Sequence, residues 1–218
     1  MQRSIHFLVL VVMLVGSGLV HADVSLSPVD DRSGRTENGG GAFTTLYSQS
    51  DTLLYVNHGT NLGRVERSAL EFDISGITAT VRSATLNLGM NSRGGGSSNI
   101  TIHGYAGDGV ITLADLIVDN QILGPLDAYD SGDFAQFNTL DVTAYVQSIA
   151  GSANYAGFML RGDNFTNVDF LSDEGTPRGT TVIRPTLTID AIPEPGSGVI
   201  CVAFAALALM RSRRRPVA

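Results

Sequence analysis

Apolar residues in the middle of this chain recur at every second position, in short runs. In "VRSATLNLGMN" (Val81 to Asn91) Ala84, Leu86, Leu88 and Met90 alternate with polar residues, and Leu187 and Ile189 do the same in "RPTLTIDAI" (Arg184 to Ile192). A period of two marks a strand with one buried face. The segments "TLLYVNHG" (Thr52 to Gly59), "RSALEFDIS" (Arg67 to Ser75), "NITIHGYAG" (Asn99 to Gly107), "NTLDVTAYVQSI" (Asn138 to Ile149), "YAGFMLRG" (Tyr155 to Gly162) and "NVDFLSDEG" (Asn167 to Gly175) share that rhythm. Between them stand "NGGG", "SRGGGSSN", "AGDG" and "DSGD", all turn chemistry. Many short strands joined by glycine-rich turns predict an all-β fold, an antiparallel β-sandwich of the jelly-roll type. Two stretches break the rhythm. "LADLIVDNQIL" (Leu113 to Leu123) predicts a helical turn or two, and "AYVQSIAG" (Ala144 to Gly151) a short helix after a strand, with Val146 and Ile149 on one face. No internal repeat or long linker divides the middle of the chain, which reads as a single domain.

Both ends carry a different pattern. At the start, Arg3 precedes an apolar centre from Ile5 to Val15 and a small-x-small site at Val20-His21-Ala22. This is the build of a secretory signal peptide cleaved after Ala22, because the apolar centre is well short of the roughly 20 residues a membrane span takes. At the other end, Gly196 to Met210 is mostly Ala, Val, Leu and Gly, and Arg211, Arg213, Arg214 and Arg215 close it. A helix over that run would be about 22 Å long at 1.5 Å per residue, against a hydrocarbon core of about 30 Å. It holds a chain during processing but makes a poor permanent anchor, and the arginines keep the tail cytoplasmic.

The order Pro193-Glu194-Pro195, short apolar helix, arginine cluster resembles the bacterial PEP-CTERM sorting signal. That resemblance implies export through the Sec machinery, and then removal of the helix and basic tail by an exosortase, which delivers the protein to the cell surface or extracellular matrix. The expected division is a signal peptide at 1–22, a sandwich domain at 23–192 and a sorting signal at 193–218.

Charge narrows the partners. The chain has no Lys, and nine of its fourteen Arg lie in the middle segment against twenty Asp and Glu, so that segment is near −11 where the whole chain is −7. Nucleic acid is excluded as a partner, since binding to phosphates rests on basic charge. The one cysteine, Cys201, lies in the C-terminal apolar run, so the exported domain has no disulfide and no cysteine-based catalysis or zinc binding. The histidines beyond the signal peptide, His58 and His103, belong to no H-E-x-x-H motif, and no G-x-S-x-G is present. Asp108-Gly109 with Asp115 has the second half of an EF-hand loop, but Gly104 and Ala106 stand where oxygen ligands belong, so a glycine hairpin turn is expected there.

In order, "RSALEFDISGI", "VRSATLNL", "LDVTAYVQSI", "YAGFMLRG", "VDFLSDEG" and "RPTLTI" resemble the landmarks of the DNRLRE family, which is related to carbohydrate-binding jelly-roll modules. Much of that resemblance has a structural meaning. Leu70, Phe72 and Ile74 alternate inward, while Asp73 and Asp141 are expected to cap turns, since short acidic side chains accept backbone hydrogen bonds there. Arg67 and Arg82 are expected to pair with acids across strands, and "RGD" (Arg161 to Asp163) to be a strand end.

The resemblance also implies ligands. Modules of this kind often hold a structural Ca2+, which needs six to eight oxygens. With the excess acid, that points to a site gathered from Asp30 and Asp31 with Asp169, Asp173 or Glu174. A glycan would have no Trp to stack on, leaving the turn-proximal Tyr47, Tyr55, Tyr105 and Tyr129 as candidate platforms. No catalytic residue is assigned. The expected role is structural or adhesive, with extracellular polysaccharide as the partner, and the alternative is a polysaccharide-active enzyme, a glycosidase or lyase using two carboxylates.

Overall fold

The computed structural model describes residues 22–36, 41–59, 63–94, 99–119, 121–127, 137–163, 165–175 and 184–192. All but the last residue of the segment 1–22 expected to be a signal peptide, the Pro193-Glu194-Pro195 motif, the apolar run after it and the terminal arginines lie outside the described residues. Among those described, the strands are β1 (Ala22–Leu26), β2 (Asp30–Thr36), β3 (Phe43–Leu46), β4 (Leu53–His58), β5 (Val65–Asp73), β6 (Thr80–Arg93), β7 (Asn99–Gly107), β8 (Gln121–Asp127), β9 (Phe137–Asp141), β10 (Tyr155–Gly162), β11 (Thr166–Leu171) and β12 (Thr186–Ile192). One α-helix, α1 (Thr143–Ile149), and one 3-10 turn (Asp115–Ile117) interrupt them.

The strands pair in the order β1-β12-β6-β11-β4-β5-β10-β7-β8, with β2 and then β3 added beside β5, and β9 beside β6. β4 meets β5 only through Asn57 opposite Glu66 and His58 opposite Val65. Beyond that short hairpin the two strands part, and the continuous ladder curls into the two layers of an antiparallel sandwich. Leu54, Val56, Val168 and Phe170 from one layer and Leu70, Phe72, Phe158 and Leu160 from the other share a single core. Phe158 meets Phe72 and Tyr145 edge-on at centroid distances of 5.7 and 5.4 Å, geometries that add about 0.5–1.5 kcal/mol each to simple area burial.

α1 plugs one end of the core with Tyr145 and Val146. Asp141 and Asp73 cap turns as the sequence predicts: each accepts the backbone N–H two residues on, at Thr143 and Ser75, with N–O distances of 2.9 Å. Arg82 pairs with Asp190 on β12 at 3.6 Å. Arg67 does otherwise, donating to the Leu116 carbonyl at 2.8 Å and lying over the Phe43 ring.

Four strands were not legible as alternating runs. β1 and β3 are short. β2, "DDRSGRT", has no large apolar residue, yet most of it is buried because both its faces are covered. β8 runs through a segment expected to be helical, of which only the 3-10 turn materialises. Its Gly124-Pro125 step is tolerated because β8 is the outermost strand of its sheet in the pairing order.

Two tyrosines lock β7 and β10 from opposite sides. On the core side the Tyr145 hydroxyl lies 2.5 Å from the Tyr105 carbonyl and 3.0 Å from that of Gly157. On the other side the Tyr105 ring lies flat against Gly157, where an added Cβ would fall 2.5 Å from ring carbons. Gly157→Ala is therefore expected to cost about 1–3 kcal/mol in urea unfolding. An unchanged midpoint would mean that Tyr105 does not pack there.

Candidate functional site

Where β4 parts from β5, its backbone at Tyr55 loses a strand partner, and two buried serines take that place. The Tyr55 N–H donates to Ser33 Oγ at 2.8 Å, and Ser68 Oγ donates to the Tyr55 carbonyl at 2.9 Å. The two hydroxyls are 2.8 Å apart. Because the Ser68 proton is committed to Tyr55, the Ser33 hydroxyl must donate to Ser68, and the four groups close a ring of hydrogen bonds.

That ring fixes the Tyr55 backbone next to Tyr47, whose own N–H donates to the Ser33 carbonyl at 2.8 Å. The two half-buried side chains meet edge to face, with centroids 5.6 Å apart at 86°. Behind them lies Glu66, only 2 % exposed. It accepts the Tyr47 hydroxyl at 2.6 Å and faces the Arg64 Nε at 3.1 Å. The Arg35 guanidinium sits 5.8 Å from the Tyr47 ring centroid, within cation–π range. Desolvation, then the hydrogen bond and charge of Glu66, push the Tyr47 hydroxyl up to about 12 from its ordinary 10.0. Desolvation and then the charge of Asp169 raise that of Tyr55. Both remain neutral donors at physiological pH. Asp169 lies opposite Tyr55 on β11 and accepts from Ser92 on β6 at 2.7 Å.

Of the four tyrosines expected to form a platform, the structure brings Tyr47 and Tyr55 together. Tyr105 is a correction: it is 6 % exposed, on the face away from the main core, covered by the chain that follows β7. Tyr129 lies outside the described residues.

The acids expected to gather around a cation divide into separate places. Asp30 and Asp31 are consecutive in a strand, so their side chains take opposite faces. Asp30 points outward, accepting the Ile111 N–H at 2.9 Å and pairing with Arg32 at 2.9 Å. Beside it, Glu71 accepts the Gly109 N–H at 2.5 Å. These two buried carboxylates pin "AGDGVITLAD" onto the sheet, a glycine turn whose Asp108 and Asp115 accept local N–H groups at Val110 and Thr112. Asp31 points the other way and meets Asp173, whose N–H it accepts at 2.7 Å, and Glu174. Asp169 belongs to the tyrosine site. Among the described residues no three His, Cys, Asp or Glu are placed to hold a metal ion.

Half-exposed tyrosines held rigidly on a sandwich face, with a buried carboxylate and two guanidinium groups behind them, form a surface suited to a polyhydroxylated ligand. The model of carbohydrate-binding module family 96 matches residues 36–185, and the chain belongs to that family. A comparison with curated proteins found no match.

Sequence reasoning missed Glu66 and the Ser33–Ser68 pair. A buried carboxylate eleven residues from Tyr55 carries no spacing signature, and the serines matter only because β4 and β5 separate.

The Asp31 contact has a measurable consequence. Burial raises its carboxyl from 3.8 to about 7, opposed by the Asp173 N–H and reinforced by the charge of Glu174. Between those two values the folded chain holds a proton that the unfolded chain has released. This contribution to stability is complete below about pH 4 and is lost as pH rises through about 7. We expect the melting temperature to fall across that window and Asp31→Asn to remove most of that fall in a pH series of thermal melts. A slope unchanged by the substitution would contradict the assignment.

Proposed function

We propose that the protein is an exported, non-catalytic binder of extracellular polysaccharide, and that a sugar ring stacks at Tyr55 and Tyr47 while its hydroxyls meet Asp169, Arg35 and Arg64. The observation that carries this reading is the tyrosine pair itself. Tyr47 is held before any ligand arrives by the buried Glu66 at its hydroxyl, and Tyr55 by the serine ring at its backbone and by the Tyr47 ring against its own, so little side-chain freedom is lost on binding. A tyrosine offers an apolar face to the C–H side of a sugar and keeps its hydroxyl for hydrogen bonding. Carboxylates and guanidinium groups match hydroxyls as acceptors and forked donors. Family membership supports the same ligand class.

Isothermal titration of the purified full-length protein against a panel of neutral and acidic polysaccharides tests this. We expect at least one to bind, no reducing ends to be released, and Tyr55→Ala or Tyr47→Ala to weaken binding about ten- to thirtyfold, the loss of about 1.4–2 kcal/mol. Silence across the panel would remove the reading.

Delivery is a second part of the proposal. The basic, apolar and small-residue order before Asp23 supports export, and Pro193-Glu194-Pro195 ahead of an apolar run and four arginines supports sorting by an exosortase. Replacing the three residues by alanine is expected to leave the protein in the membrane fraction with its C-terminal tail uncut, seen as a heavier band on an immunoblot of cell fractions. Normal release of that variant would sink the sorting claim.

A further inference from the structure

The turn between β10 and β11 contains the one described non-glycine residue with a left-handed backbone, Phe165, at φ 67°. The Asp163 carbonyl accepts the Thr166 N–H at 3.1 Å across it, which puts Phe165 at the third position of a tight turn. Turns with positive φ there take Gly or Asn, and a bulky side chain costs energy. The ring recovers nothing from burial, since it is 66 % exposed. The surroundings nonetheless hold the turn in place. His58 Nδ1 donates to the Gly162 carbonyl at 3.1 Å, and the Thr166 hydroxyl lies 2.7 and 3.1 Å from the carbonyls of Asp163 and Asn99. An exposed aromatic ring kept in a strained, well-braced conformation is a mark of function rather than of packing.

Its position says what the function is. On β11, Val168 and Phe170 enter the core, so Asn167 and Asp169 take the opposite face, the face of Tyr55 and Asn57 on β4. The ladder pairs Asp169 with Tyr55, Asn167 with Asn57 and Thr166 with His58, so Phe165 stands at the end of that row, beyond the two asparagines. The Asn167 amide also lies across Gly94 after β6, where an added Cβ would collide with it. Four residues along a strand at about 3.3 Å each set Phe165 about 13 Å from the level of Tyr55, farther than one sugar ring reaches.

We propose that the glycan site continues along β11 from the tyrosine pair, past Asp169 and over the half-buried Asn167, to Phe165, while Asn57 beside it on β4 is buried beneath the surface, and that it takes an internal stretch of a linear polysaccharide lying along the strand. Aromatic rings at the two ends grip sugars of the same chain, and the Asn167 amide between them meets the hydroxyls of the sugars in the middle. This inference rests on the tyrosine site being a glycan site and adds its length, its direction and the far stacking residue.

The test uses length ladders, disaccharide to hexasaccharide, of cello-, laminari-, xylo-, manno- and uronate oligosaccharides, titrated into the full-length protein and into Phe165→Gly and Tyr55→Ala. For the series that binds, affinity should climb with length. Phe165→Gly should erase about tenfold of the hexasaccharide affinity, corresponding to about 1.4 kcal/mol, and leave the disaccharide unchanged. Glycine suits the backbone there, so the same variant should melt higher by about 2–4 °C for each kcal/mol of strain released, which separates lost contact from lost fold. Hexasaccharide affinity unaltered in Phe165→Gly but abolished in Tyr55→Ala would overturn the extended site and leave the tyrosine site standing. No binding of any series by the unsubstituted protein would remove both.

Discussion

A buried peptide group must find a hydrogen-bond partner, and the candidate site depends on how that demand is met at Tyr55. A sandwich made from one curled ladder needs a place where neighbouring strands stop pairing. Here β4 leaves β5 after two residue pairs. The backbone so exposed faces protein rather than water, and leaving a buried donor or acceptor unpaired would cost about 1–3 kcal/mol. Ser33 and Ser68 answer both groups with side chains short enough to fit the seam and able to donate and accept at once. The seam is then closed without a strand, and the surface above it stays open. Tyr47 and Tyr55 occupy that surface.

The same rule shapes the opposite face. Asp30 and Glu71 lie directly across from one another on β2 and β5, two acids where like charges repel. Each accepts a backbone N–H from the loop after β7, at Ile111 and Gly109. The loop thereby covers the outer side of the sheet, and Leu116 settles over Gly34, where any side chain on the strand would collide. The acid excess that composition presents as a call for a cation is in part spent holding loops to strands, with N–H groups doing what an ion would otherwise do.

Much of the architecture was legible because the core strands obey a period of two. Ala84, Leu86, Leu88 and Met90 all reach the core, as do Leu187 and Ile189. Tyr105, expected as an exposed platform, does lie on the face of β7 away from Ile100 and Ile102. What the alternation did not reveal is that this face is itself covered, because coverage depends on a loop folding back and not on the strand. β2 was invisible for a related reason: a strand buried by serines, a glycine and carboxylates bears no apolar signature, and without it Asp30 and Asp31 looked like neighbours at one site. Tyr47 and Tyr55 were identifiable as candidates from their place near turns. Their meeting was not, since it follows from β3 and β4 lying on either side of the seam.

Phe165 marks the limit of a different kind of inference. A strand end was expected at Arg161 to Asp163, and β10 does end there, at Gly162, but nothing in the letters says that Phe165 just beyond it takes a left-handed backbone. Only geometry shows a phenylalanine where glycine would be cheaper. A chain selected for stability alone would not keep that choice, given that the ring is largely exposed and that the hydrogen bonds around it serve a turn glycine would form as well. The strain makes sense when the ring is read with Asn167 and Asp169 behind it on β11, as the end of a row that starts at the tyrosines. The serine seam fixes one end of this row and the His58 and Thr166 contacts brace the other, so a flexible chain of sugars would meet a surface that has already given up its own freedom.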